Sequence, residues 1–214
     1  MTPPKSRPES AEIRSSDLHG SAPDTCSTAI LLVDVINPFD FPEADELLTH
    51  ALPMAERLAE LKQRARQADI PVIYANDNFG RWRSDLRAVV NRCQEAGCKG
   101  RKLVEMLLPD EDDYFVLKPK HSAFYSTTLD TLLRYLGSRT LVIGGLAGNI
   151  CVLFTANDAY MRDFKVVVPR DCVASNTIAE NDAALAQMAK VLKADTCSLA
   201  ELQLAGEISR TPSS

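Results

Sequence analysis

Short apolar runs alternate along the chain with longer stretches whose apolar residues recur at helical spacing. The runs are rich in β-branched residues, which is typical of strands buried in a parallel sheet. They predict strands at Ala29–Val33, Pro71–Ala75, Tyr114–Leu117, Thr140–Ile143, Lys165–Val168 and, at the edge, Thr196–Leu199. Strands that alternate with helices predict an α/β protein: a three-layer α/β/α, Rossmann-like fold around a six-stranded, mostly parallel sheet.

The predicted helices fill the intervals between these strands. The longest covers Glu43–Gln67. Within it, Pro53 either breaks the helix or begins a second one, because proline lacks the N–H group that an interior turn needs. Further helices are expected at Leu129–Leu136, closed by Gly137, at Asn149–Met161 and at Ala179–Leu192.

Composition and charge restrict the class of protein. The 214 residues, 45% of them hydrophobic, suit one globular domain, predicted over residues 28–203 between a flexible arm (1–27) and a polar tail (204–214). The net charge of −5 argues against nucleic acid or an anionic membrane as the partner. We find neither an apolar run near the roughly 18 residues of a membrane span nor a signal-peptide core. The six cysteines are scattered, which indicates reduced thiols and a cytoplasmic protein.

Chemically active residues follow three of the predicted strands. Asp34 ends the first strand and Lys118 the third, and open α/β sheets bind their ligands at such carboxyl ends. Cys151 follows a glycine-rich turn and falls in the first turn of a helix, whose dipole favours a thiolate. Asp34 could instead cap a turn, and Cys151 could be a small buried hydrophobe. Their convergence with Lys118 at one edge of the sheet favours a reactive site.

Other patterns carry weaker signals. Arg81–Arg92 is rich in arginine and contains Trp82, a mixture found in nucleic-acid grooves. Given the acidic total, we interpret it as a solvated helix face with Trp82 covering a pocket. Because arginine and tryptophan are enriched at interfaces, we also expect a homo-oligomer, dimer or tetramer. Cys93 and Cys98 lack a second ligand pair for zinc, and His121 is interpreted as a solvated or hydrogen-bonded loop residue.

Three blocks of sequence stand at the ends of three predicted strands. They read A-I-L-L-V-D-V-I-N-P-F from Ala29, V-L-K-P-K-H-S-A-F from Val116 and G-G-L-A-G-N-I-C-V-L-F-T-A-N-D-A-Y from Gly144. Together and in this order they resemble the isochorismatase-like cysteine hydrolase superfamily, which includes nicotinamidases, N-carbamoylsarcosine amidases and isochorismatases. The resemblance extends from about Thr28 to Leu202 and implies a six-stranded parallel sheet.

The resemblance also implies a catalytic triad, matched here by Asp34, Lys118 and Cys151. In such a triad, Cys151 attacks a carbonyl carbon and Asp34 accepts the thiol proton and later passes it to the leaving amine. Lys118 holds the charges in register. A cis peptide bond between Leu146 and Ala147 is implied as well. It would direct the N–H groups of Ala147 and Cys151, the expected oxyanion hole, at the developing negative charge.

The chain departs from the family pattern where substrates are selected. No histidine stands between His50 and His121, whereas metal-binding nicotinamidases carry histidines near the end of the second strand. We therefore expect no metal and no cofactor. Ile36 stands where the family usually has glutamine. The pocket walls expected by position are Phe39, Asn78, Trp82 and Phe124.

The sequence therefore predicts a metal-independent cysteine amidohydrolase that cleaves a C–N bond of a small carboxamide or ureido compound through a thioester. The alternatives are an isochorismatase-type hydrolase and a non-catalytic binding or assembly protein that keeps the fold. The retained triad favours the enzyme. A Rossmann nucleotide binder is disfavoured, because Gly144–Gly148 does not follow the G-x-G-x-x-G fingerprint.

Overall fold

The computed structural model describes residues 25–78 and 86–204. Its strands are β1 (Thr28–Val33), β2 (Val72–Asp77), β3 (Tyr114–Lys118), β4 (Thr140–Leu146), β5 (Lys165–Val167) and β6 (Val173–Ala174). Its helices are α1 (Ala44–Gln67), α2 (Leu86–Gln94), α3 (Arg101–Met106), α4 (Leu129–Leu136), α5 (Leu153–Tyr160) and α6 (Ile178–Val191). A π-helical turn, Gly148–Val152, leads into α5. Trp82, most of the predicted arm and nearly all of the predicted tail lie outside the described residues.

The six strands form one parallel sheet in the order β3-β2-β1-β4-β5, and β6 also pairs with β4. The first half of β4, Thr140–Val142, pairs with β5, and the last two residues of β4 pair with β6. Strand β1 lies between β2 and β4 and is buried along its whole length. An apolar run therefore became a central strand, as its lack of polar positions predicts.

Side chains of β1 alternate between two hydrophobic cores, one on each face of the sheet. Ile30 and Leu32 pack with residues of α1, α2 and α3. Ala29, Leu31 and Val33 pack with residues of α4, α5 and α6. The sheet is thus covered by helices on both faces, and the predicted three-layer α/β/α fold is confirmed.

The bounds of α1, α4 and α6 agree closely with the sequence pattern, whereas α3 has no counterpart among the predicted helices and α5 begins at Leu153 instead of Asn149. Helix α4 ends at Gly137, whose φ of 70° is the left-handed conformation expected of a glycine stop. Helix α1 does not break at Pro53 but continues through it. Pro53 and Thr49 both lie on the exposed side of α1, where water can satisfy the Thr49 carbonyl group that proline leaves without a partner. None of the helices in the described ranges is long and apolar enough to cross a membrane.

The predicted edge strand at Thr196–Leu199 is wrong. In that region Asp195 forms a single parallel bridge with Val167, and the residues after it are irregular. The sixth strand is β6, only two residues long, which pairs with Gly145 and Leu146. A strand this short has no periodicity to read, so tertiary pairing alone defines it.

The register of the sheet brings the carboxyl ends of four strands together. Val33 lies opposite Ala75 in β2 and Gly145 in β4, and Asp77 lies opposite Lys118. Gly145 makes the approach of β1 and β4 feasible: its φ is 125°, and a Cβ there would lie 2.0 Å from the Val33 carbonyl oxygen. Any side chain at this position would separate the strands at the edge where open α/β sheets bind ligands.

Candidate active site

Lys118 is the centre of a polar cluster at this edge of the sheet. It ends β3, and its side chain is 0% exposed. Its Nζ lies 2.7 Å from Asp34 Oδ2, 3.5 Å from Cys151 Sγ and 3.3 Å from the carbonyl oxygen of Lys120. An ammonium group has three N–H donors, and these three acceptors match them. Asp77 Oδ2 adds a further negative charge at 3.8 Å from Nζ.

Each carboxylate oxygen of Asp34 has a partner that fixes its position. Oδ1 accepts a hydrogen bond from the backbone N–H of Asp77 at 2.7 Å, and Oδ2 faces Lys118. The side chain is buried, and the neighbouring Cys151 thiol opposes the rise of its pKa that burial causes. The backbone φ of Asp34 is 52°, a left-handed conformation that aspartate adopts more readily than most residues. The carboxylate thus has one fixed position between the ammonium and the thiol.

Cys151 is carried by the π-helical turn rather than by a regular α-helix. Within this turn the Ala147 carbonyl oxygen accepts hydrogen bonds from Ile150 N–H at 3.0 Å and Val152 N–H at 3.1 Å. Asn149 N–H is bound to Ser175 Oγ at 3.1 Å, which ties the turn to the segment after β6. Single π-helical turns are rare and occur frequently at functional sites.

The predicted cis peptide bond between Leu146 and Ala147 is wrong, since the described residues contain no cis bond. The chain turns at this point through the positive φ of Gly145, and Ala147 is extended with φ −81° and ψ 142°. All-trans backbone therefore brings Cys151 to the edge of the sheet.

The expected resting thiolate is also not supported. Burial and, after it, the charge of Asp34 raise the pKa of the Cys151 thiol to about 12, although Lys118 opposes the rise. Burial raises the pKa of Asp34 as well, against the opposing effect of Lys118. Burial lowers the pKa of Lys118, but Asp34, Cys151 and Asp77 outweigh it, so that this pKa is raised. The thiol therefore keeps its proton at neutral pH, with Asp34 as the adjacent acceptor.

The residues expected as pocket walls are dispersed. Phe39 is fully buried and stacks on Phe41 with ring centroids 5.9 Å apart. Phe124 packs on Phe164 and lies under the Arg162 guanidinium group, beyond the C-terminal end of α5, whereas Cys151 precedes its N-terminal end. Asn78 is buried beside the cluster, with its N–H bound to the carbonyl oxygen of Lys118 at 3.2 Å. Trp82 lies outside the described residues.

Ile36, the departure from the family pattern, belongs to the hydrophobic core. It is fully buried, and the side chain of Asn76 holds its backbone: Nδ2 donates to Ile36 O at 2.6 Å, and Oδ1 accepts from Ile36 N–H at 3.4 Å. Asn76 thereby fastens the end of β2 to the loop that follows Asp34. An apolar side chain fits this position because it faces other apolar groups.

The structure adds a residue that sequence reasoning assigned to a loop without chemistry. His121 Nδ1 lies 3.8 Å from Cys151 Sγ, although the two residues are 30 positions apart. The signal that could have found it is its position three residues after Lys118. Lys118 ends β3 beside the sulfur, and three residues of chain carry His121 only a short distance from that point.

Metal-ligand clusters are not apparent in the ranges 25–78 and 86–204. No group of three or more His, Cys, Asp or Glu residues lies together there. Cys93 is buried in the core, and Cys98 Sγ lies 3.5 Å from the Pro38 carbonyl oxygen. Neither cysteine has the set of ligands that a structural zinc site needs.

Known proteins are similar to this chain over the part that contains the sheet and the polar cluster. The model of the isochorismatase domain matches residues 28–201. The isochorismatase family protein YaaI of Bacillus subtilis is 44% identical over 167 residues, which are 78% of this chain and 91% of YaaI. The ureidoacrylate amidohydrolase RutB of Methylorubrum extorquens is 31% identical over 175 residues, 69% of this chain and 70% of RutB. The N-carbamoylsarcosine amidase structure from Thermoplasma acidophilum has a TM-score of 0.65 at 26% identity and covers 84% of this chain and 100% of that one.

Proposed function

Because the chain belongs to the isochorismatase family of hydrolases, as its sequence blocks predict, we propose that it is a metal-independent cysteine amidohydrolase. It cleaves a C–N bond of a small carboxamide or ureido compound. The observation that carries this proposal is the buried ammonium of Lys118, which lies 2.7 Å from a carboxylate oxygen of Asp34 and 3.5 Å from the sulfur of Cys151. A nucleophile, a proton acceptor and a fixed positive charge are thus in contact.

The first half of the reaction forms a thioester. Cys151 Sγ attacks the carbonyl carbon as its proton passes to Asp34, whose raised pKa suits a group that must hold a proton between steps. Lys118 stabilises the negative charge as it moves from the carboxylate to the sulfur. The C–N bond then breaks, and the nitrogen leaves with a proton. In the second half, water attacks the thioester and the acid is released.

The oxyanion of the tetrahedral intermediate needs hydrogen-bond donors. We assign this role to the backbone N–H groups of Ala147, which precedes the π-helical turn, and of Cys151, which lies within it, because the first N–H groups of a helix have no partner inside the helix. Because the bond before Ala147 is trans, the direction of these N–H groups depends on the conformation of the turn alone.

Two relatives support the proposed substrate class. RutB is named a ureidoacrylate amidohydrolase and the Thermoplasma acidophilum protein an N-carbamoylsarcosine amidase, so both names describe cleavage of a ureido or carbamoyl group. Asn78, beside Lys118, and Trp82 are the pocket walls we retain for this substrate. The protein is proposed to act in the cytoplasm as a homo-oligomer, an assembly supported by the exposure of Phe154, Tyr160 and Met161 on and after α5.

The proposal is tested with a panel of small amides and ureido compounds that includes ureidoacrylate, N-carbamoylsarcosine and nicotinamide. We expect ammonia release from at least one member of the panel. Rapid acid quenching during turnover should then leave an acyl group on the peptide that contains Cys151, detected by mass spectrometry. Ammonia release without any acyl adduct on this peptide would contradict the thioester mechanism, and no release across the panel would contradict the amidohydrolase.

Chelators should leave this activity unchanged. The described residues hold no cluster of metal ligands, and the segment from His50 to His121 contains no other histidine. Activity is measured after prolonged incubation with EDTA and removal of the chelator. A loss of activity that zinc, iron or manganese reverses would show that a metal takes part in the reaction.

A further inference from the structure

His121 reaches the sulfur of Cys151 from the solvent side. Its Nδ1 is 3.8 Å from Sγ, and the residue is exposed. Its ring packs on Phe154, with ring centroids 5.5 Å apart and an interplanar angle of 53°. Lys118, which contacts the same sulfur, and Asp34, which is paired with Lys118, are buried. The thiol therefore lies between a buried acid–base pair and an exposed imidazole.

The backbone on both sides of His121 is fastened. The preceding residue, Lys120, accepts a hydrogen bond on its carbonyl oxygen from Lys118 Nζ. The two following residues are bound to α5: Ser122 Oγ donates to the Asp158 carboxylate, and Ala123 N–H donates to Thr155 Oγ1 at 3.0 Å. One side of the loop is thus tied to the lysine of the cluster and the other to the helix that follows Cys151. This arrangement holds the imidazole at the sulfur.

Asp34 lies on the buried side of the sulfur and is held there by Asp77 N–H and by Lys118. An amide nitrogen must gain a proton before its bond to carbon breaks readily, because the amide anion is a poor leaving group. His121 lies on the solvent side of Sγ, the side from which we expect a substrate and its leaving nitrogen to approach. Histidine changes its protonation state in the physiological range and exchanges protons with solvent when it is exposed.

We propose that His121 is a catalytic residue for the hydrolysis proposed above, on which this inference rests. In acylation the S–C bond forms, the thiol proton passes to Asp34, and the C–N bond breaks as the His121 imidazolium gives its proton to the departing nitrogen. In deacylation water adds to the thioester carbonyl and gives a proton to the neutral His121. The C–S bond then breaks, and Asp34 returns its proton to the sulfur. The cycle consumes water and restores all three groups.

The test compares two acyl donors that differ in their leaving groups. One is the panel's best ureido or amide substrate, and the other is p-nitrophenyl acetate, whose leaving group departs without a proton. In His121→Gln we expect acylation by the amide to fall about 100-fold, the lower range of general acid catalysis, while the p-nitrophenolate burst keeps its rate. His50→Gln is the matched control, since it makes the same change on α1, and both rates should match the wild-type protein. In His121→Ala, added imidazole should restore acylation by the amide.

The possible outcomes separate this inference from the function on which it rests. Equal losses with both acyl donors, without rescue by imidazole, mean that His121 only shapes the site and overturn its catalytic role. Unchanged acylation by the amide in His121→Gln overturns it as well and leaves the amidohydrolase intact. A wild-type protein that releases no ammonia from any panel compound contradicts both proposals.

Discussion

Replacement of Cys151 by alanine is expected to abolish amide hydrolysis, with a loss of at least ~10⁴-fold in kcat, because covalent catalysis ends when the nucleophile is removed. The variant should fold normally. Lys118 keeps Asp34 and the Lys120 carbonyl oxygen as acceptors when the thiol is lost, so that its buried charge stays paired. Steady-state ammonia release measures the activity, and thermal unfolding followed by circular dichroism checks the fold.

Cys26→Ala is the matched control for this substitution. Cys26 is also a free, partly buried cysteine, but it precedes β1, whereas Asp34 follows that strand, and its backbone is bound to the end of α4 and the residues after it. The control should keep full activity. If Cys151→Ala retained more than a small fraction of the wild-type rate, the thioester mechanism would be wrong and a direct attack by water would replace it.

The sequence carries enough information to bring Asp34, Lys118 and Cys151 together, because the first two stand at the ends of apolar runs and Cys151 follows the turn after a third. The register of a parallel sheet aligns such ends, and here Val33 lies opposite Gly145 while Asp77 lies opposite Lys118. Local pattern therefore predicts which residues meet. Roles for these residues remain proposals that rest on this geometry and on the family.

Features that depend on packing could not be predicted in this way. The two-residue strand β6 exists only as a partner of Gly145 and Leu146. Pro53 is tolerated in α1 because it faces water, and its exposure could not be read from the proline residue alone. Phe39 is expected at the pocket by its position, and in the structure its buried ring stacks on Phe41. Neighbours in sequence diverge once the chain turns, and the positive φ of Phe39, 55°, marks such a turn.

The state of the thiol is the most instructive case. A helix start and a neighbouring ammonium both favour a thiolate, and these two features can be read from the sequence. Burial and the adjacent carboxylate oppose them, and both arise only from the fold. The carboxylate that raises the pKa of Cys151 is also the group that can remove its proton, so the same contact suppresses the resting thiolate and provides for attack on a bound substrate.

This dual role gives Asp34→Asn two opposite expected effects. Amide hydrolysis should fall about 10³-fold, within the range for loss of a general base, because nothing then accepts the thiol proton. Alkylation of Cys151 by iodoacetamide at neutral pH should become faster. The Asp34 charge raises the thiol pKa and Lys118 lowers it. Without the carboxylate charge the pKa falls, and below the pKa each unit of decrease raises the thiolate fraction tenfold.

The pH dependence of Cys151 alkylation should also differ between the wild-type protein and Asp34→Asn. In the wild-type protein the rate should keep rising with pH throughout the neutral and mildly alkaline range, because a thiol pKa of about 12 lies above that range. In Asp34→Asn the rate should level off at lower pH.

Asp77→Asn is the matched control, since it removes a carboxylate that lies 3.8 Å from Lys118 and is not among the main groups that shift the thiol pKa. Its alkylation profile should follow the wild type. Slower alkylation in Asp34→Asn, with the fold intact, would mean that Asp34 helps to form the thiolate at rest, and the site would then hold a preformed ion pair instead of a thiol that loses its proton only during attack.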